Sequence, residues 1–142
     1  MLNVFIGDGY DQTFFIKGTD LYPECKFTGR AMASHQSTRL VKKAMHLADT
    51  AGTDAELKYY EREVVARISS WQAYDPDTGA WAPFTDNKGA DLPINAASLA
   101  GLQPKLAWKI RDIILGTEAG DPDPHADDEG NPPATPKENA KN

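Results

Sequence analysis

The sequence predicts an α+β fold, a small N-terminal antiparallel β-sheet packed against about three α-helices and followed by a disordered acidic tail. Three observations carry this. Short apolar runs separated by glycine-containing turns fill residues 1–33, and apolar residues recur at helical spacing through 34–116. After Gly116 there is no Val, Ile, Leu, Met, Phe, Tyr or Trp.

Leu2, Val4 and Ile6 alternate with Asn3 and Phe5, which predicts a first strand. GDGYD (7–11) supplies turn residues, and TFFIKG (13–18) reads as a second strand. ECKFTGR (24–30) follows Pro23 as a third, with Cys25 and Phe27 on one face. Short strands of this kind need a covering element. The first helix is expected from Ser34 or Ser37 to about Ala51, with Gly52 as its stop. Leu40, Ala44, Leu47 and Ala48, beside Val41 and Met45, form its apolar face, while Arg39, Lys42 and Lys43 lie largely opposite.

Thr53-Asp-Ala-Glu56 has the pattern of a capping box, which marks the start of a second helix. Leu57, Tyr60, Val64, Ile68 and Trp71 then recur at intervals of three and four, predicting one apolar seam that reaches Trp71. A turn follows at Asp75–Gly79, and Trp81, Pro83 and Phe84 fall in the loop after it. Asp86–Gly89 is a second turn, and Leu92-Pro-Ile94 is extended because the residue before proline avoids the helical region. Asn95 is placed to cap a short helical turn over 95–100. The last helix opens at Pro104 and closes at Gly116, with Leu106, Ile110, Ile113 and Ile114 on its apolar face and Trp108 to the side. The expected core joins Leu40, Ala44 and Leu47, the whole second-helix seam, and Leu106, Ile110 and Ile113.

The 142 residues fit one domain, placed at 1–116. The net charge of −6 divides unevenly. Residues 117–142 hold seven acids against two lysines and five of the ten prolines, whereas 1–116 holds fourteen acids against thirteen bases. The tail has no apolar surface to offset the entropy of ordering it, so it is expected to be disordered and solubilising. A near-neutral body without a basic stripe argues against nucleic-acid binding. No apolar run approaches the roughly 18 residues of a membrane span, and no export pattern is seen at the N-terminus. The single cysteine, Cys25, excludes an internal disulfide.

No constellation for catalysis is recognisable. His35, His46 and His125 have no zinc-like spacing to cysteine or acid, and Cys25 lies between Glu24 and Lys26 with no consistent activating field. Glu61 and Glu63 point different ways on a helix, and Asp75 and Asp77 belong to a turn rather than a calcium loop. No phosphate-binding glycine motif occurs. The expectation is a protein that is not an enzyme and uses no cofactor or metal. Binding features remain. Arg39, Lys42, Lys43, Arg62 and Arg67 could form a basic patch, interleaved with Glu56, Glu61 and Glu63. The candidate partner-binding residues are Tyr74, Trp81 and Phe84 in the aromatic loop region, Trp108, and Arg30.

One pattern spans residues 22–116. It begins with an aromatic-basic strand (Tyr22, Lys26, Phe27, Arg30), followed by two helices and Val65-Ala-Arg-Ile-Ser-Ser-Trp71. Asp77-Thr-Gly79, Leu92-Pro-Ile94, Leu99-Ala-Gly-Leu102-Gln-Pro104 and Ile113-Ile-Leu-Gly116 complete it. This order of elements resembles that of tail assembly chaperones, or tail accessory proteins, of tailed bacteriophages. Ala31 follows Arg30 where those proteins frequently carry proline. The resemblance implies a non-enzymatic protein of the infected bacterial cytoplasm that binds the tape-measure protein, the tail-tube protein or both. Contacts are then expected along the sheet edge and near Trp81 and Phe84, and oligomerisation is compatible with this role. The alternative is a structural virion protein, either a head–tail connector or a tail-completion subunit.

Overall fold

A computed structural model describes residues 11–125. The elements in chain order are β1 (Gln12–Ile16), β2 (Cys25–Gly29), α1 (Ser34–Ala51), α2 (Thr53–Val65), β3 (Ile68–Asp75), β4 (Ala80–Pro83), α3 (Ala96–Gly101) and α4 (Pro104–Leu115). The strands form one antiparallel sheet in the order β1-β2-β3-β4. The α+β class is therefore as expected. The second and third predicted strands appear as β1 and β2; the first, over Leu2–Ile6, lies outside the described residues.

Register divides the sheet into two faces. Phe14 pairs with Phe27 and Phe27 with Trp71, so these three rings share the inner face. The helices pack on that face through Leu40, Ala44, Val64, Leu99, Leu106, Ile110, Ile113 and Ile114, all buried. Pro104 starts α4 and Gly116, at φ 82°, ends it as the spacing predicts. Asn95 caps α3, its side chain accepting from the Ser98 N–H at 2.8 Å.

The second helix is shorter than its seam predicts. It stops at Val65, and Ile68–Asp75 is the strand β3. Ile68 and Trp71 are three residues apart, a helical interval that should put them on opposite faces of a regular strand. Both are buried all the same. The register explains this: Thr28 pairs with Ser70 but Gly29 with Ile68, so Ser69 is an extra residue in a bulge that returns Ile68 to the inner face. Leu57, left on the shortened helix, is 46% exposed rather than core, and Leu47 and Tyr60 are only partly buried. The capping box does not form either, because Gly52, at φ 96°, is itself the N-cap and no side chain caps the helix. Trp81 lies in the edge strand β4 opposite Tyr74, not in a loop.

Gly29 makes the crossing of β2 and the α2–β3 connector possible. A Cβ there would lie 2.5 Å from the Arg67 carbonyl oxygen, which also accepts from the Arg30 N–H. Gly29→Ala should therefore lower stability by about 1–3 kcal/mol, the usual cost of overpacking, in a urea titration. A midpoint equal to the parent's would contradict this close approach.

Beyond Gly116 the chain stays in contact with the body of the fold. Residues 117–125 pack on the domain, while 126–142 lie outside the described residues. The Asp121 N–H donates to the Phe15 carbonyl and the Lys17 N–H to Asp121 Oδ2, both at 2.8 Å, so Asp121 closes part of the β1 edge. Lys109 on α4 pairs with Glu118 and, at 3.5 Å, with Asp121. The hydrogen bond to Glu118, followed by the field of Asp121, raises the Lys109 ammonium pKa above its ordinary value. Acids that look like a solvated run are, in part, the anchors of a strap.

Candidate functional site

Shortening α2 leaves an apolar groove on the outside of the helical layer. Leu57 and Tyr60 of α2 form one wall, Leu99 and Ala100 of α3 the end, and Ala107 and Trp108 of α4 the other wall. Trp108 is 50% exposed, as its lateral position on the helix predicts. Arg111, one turn later on α4, lies 3.5 Å from the Trp108 ring centroid and 5.0 Å from that of Tyr60. Its guanidinium thus bridges the two walls by cation–π contact. Asp112 Oδ1, 3.7 Å from Arg111 Nε, faces it from behind.

The groove holds about 190 Å³. Ligand pockets for drug-sized molecules start near 300 Å³, so this one suits protruding side chains better than a whole small molecule. Glu61 stands at its rim. Burial pushes its carboxyl pKa up, against the opposing charge of Lys58. Burial likewise raises the Tyr60 hydroxyl, with Arg111 acting the other way. A basic group brought to Glu61 would relieve the first of these costs.

A second aromatic set occupies the outer sheet face. Phe15, Tyr74 and Trp81 meet there, with Tyr74 and Trp81 edge-to-face at 5.3 Å and Phe15 6.2 Å from Trp81. Lys26 Nζ lies 4.6 Å over the Trp81 ring. The strap ends on this cluster: His125 stacks on Tyr74 at 4.1 Å, and its Nε2 is 3.0 Å from Glu24 Oε2. Tyr74 and Trp81 are consequently partly covered.

The five candidate residues do not converge. Tyr74 and Trp81 share the outer face, but Phe84 is buried against Trp71, stacked at 5.2 Å, and belongs to the core. Trp108 is on the helical side, and Arg30 sits past the far end of β2, 3.9 Å from Asp11. The groove residues Leu57, Tyr60 and Arg111 were not singled out by sequence for binding. The one hint for Leu57 and Tyr60 is that their seam runs on into Ile68 and Trp71, two residues that favour strands.

Cys25 is buried on the inner sheet face, its thiol donating to the Pro23 carbonyl. Burial, and then the charge of Glu24, pushes its pKa up to about 12. Thiolate is the reactive form, so alkylation at pH 8 should be at least about 100-fold slower in the folded protein than in urea. Equal rates would contradict the burial. Among the described residues no group of three or more His, Cys, Asp and Glu is placed to hold a metal ion. No helix among them is long and apolar enough to cross a membrane.

Compared with known proteins, the chain matches no family model, and no curated protein or solved structure matches it significantly.

Proposed function

We propose that this chain is a non-enzymatic assembly protein of the tail-chaperone kind, which holds an amphipathic helix of a tape-measure or tail-tube protein in the α2–α3–α4 groove. The observation that supports the reading is the half-exposed pair Leu57 and Trp108 facing each other across an apolar cleft. An amphipathic helix presents apolar residues at i, i+3 or i+4, and i+7 to such a groove. Fully burying one large apolar side chain contributes about 1.5–3 kcal/mol, so completing the cover over two half-exposed residues supplies useful affinity. Glu61 favours a partner helix with a basic residue beside its apolar stripe. In this role the protein works in the host bacterial cytoplasm.

Co-expression with the tape-measure protein of the same phage tests the reading. Recovery of a complex that is lost in the Leu57→Glu/Trp108→Glu double variant supports it, and the absence of any complex contradicts it. The alternative, a structural virion subunit, draws on a different observation. The β1 edge is partly closed by Asp121, whereas β4 has no strand on its outer side among the described residues. An open edge can add a strand from a neighbour, although Pro83 limits how far. Presence of the protein in purified particles would favour that subunit role over a chaperone.

A further inference from the structure

The basic residues of α1 and α2 remain without a role in the groove, which lies on the other side of α2. Gln36, Arg39 and Lys43 recur at helical spacing on α1, and Tyr59 and Glu63 recur on α2, with Arg67 just beyond its end. The tight connection at Gly52 folds these helices into a hairpin that brings all six side chains around one cleft of about 340 Å³. Its charged lining is three cations against one acid.

Two of the three lining cations have set positions, and Arg39 is exposed at the cleft's edge. Arg67 Nη1 donates to the Glu63 carbonyl oxygen at 3.0 Å and lies 3.5 Å from the Glu63 carboxylate. Lys43 Nζ is 5.4 Å over the Tyr59 ring, and the Arg62 guanidinium is 5.6 Å from the same ring. Neither Arg39 nor Lys43 makes an ion pair among the described residues. They stand one helical turn apart, a like-charge spacing that costs a helix stability unless something neutralises it. Glu63 is committed to Arg67, which leaves an excess of about two positive charges.

The geometry points to this cleft as a binding site for a phosphoryl anion. A doubly charged tetrahedral oxyanion matches the charge excess and offers an oxygen to each cation, and guanidinium groups bind phosphate oxygens in a planar, bidentate way. The volume exceeds that of one phosphate, so either the free anion or a small phosphate ester is accommodated. Glu63 is the opposing charge within the site and its removal should strengthen binding.

Titration of the ¹⁵N-labelled full chain with sodium phosphate, at constant ionic strength set by chloride, tests this. Saturable shifts confined to residues 36–43 and 59–67 are expected, with at least tenfold weaker binding in Arg39→Gln/Lys43→Gln and several-fold tighter binding in Glu63→Gln. Circular dichroism of each variant checks that it folds. A parallel titration with adenosine monophosphate separates the sources: a tighter ester assigns the site to an ester, and equal or weaker binding assigns it to free phosphate. Absence of saturation, shifts spread equally over Lys105 and Arg111, or acetate binding as tightly as phosphate would each overturn the assignment.

Discussion

Ile110→Asp leaves the chain without a cooperative unfolding transition. Ile110 on α4 is 0% exposed and belongs to the one core cluster that holds residues of both the sheet and the helices. The substitution removes a buried side chain, worth about 2–5 kcal/mol in comparable truncations. It also asks a carboxylate to ionise in the apolar core, at a further cost of several kcal/mol. Together these approach or exceed the stability of about 5–15 kcal/mol that a domain has to lose. Far-UV circular dichroism on heating is the check, and a sigmoidal melt near the parent's temperature would mean that α4 does not face the core.

Phe27→Ala has the next largest effect. Phe27 is 1% exposed on a central strand, 5.2 Å from the Phe14 ring and register-paired with Trp71. No neighbour can collapse into its place without breaking a rung shared by three strands, so the loss should be about 3–5 kcal/mol. The urea midpoint should fall with the slope unchanged. A loss below about 1 kcal/mol would show that the sheet and the helices are not joined through this rung.

What the sequence made legible was local. Asn95, Pro104 and Gly116 mark helix ends by chemistry that acts within one turn, and each occurs where it was read. The failure at Ile68 has a physical cause. A bulge inserts Ser69 and converts the strand's period of two into an interval of three, which a periodicity argument takes for helix. Taking that interval for helix extends the seam to Trp71 and places Leu57, which is 46% exposed, in the core, and this hides the groove.

The strap is not legible in the sequence for another reason. Glu118 and Asp121 read as part of a solvated acidic run, but their partners are Lys109 and the backbone of Lys17, the latter 104 residues from Asp121. Nothing local distinguishes an acid that anchors from one that only solvates. Phe84 is the opposite case, because an aromatic after a turn reads as available whereas this ring is buried and stacked on Trp71. Trp108 alone among the five candidates stands half-exposed on a helix, because its side-facing position is fixed by the same α4 periodicity that buries Ile110 and Ile114.

The α2–α3–α4 groove carries the functional account, and calorimetric titration with a helical fragment of the tape-measure protein tests it most directly. The parent chain should bind with saturation, and Leu57→Glu/Trp108→Glu should weaken binding at least tenfold while retaining the parent's circular dichroism spectrum. Equal affinity in the two proteins, or no binding by the parent, would contradict it.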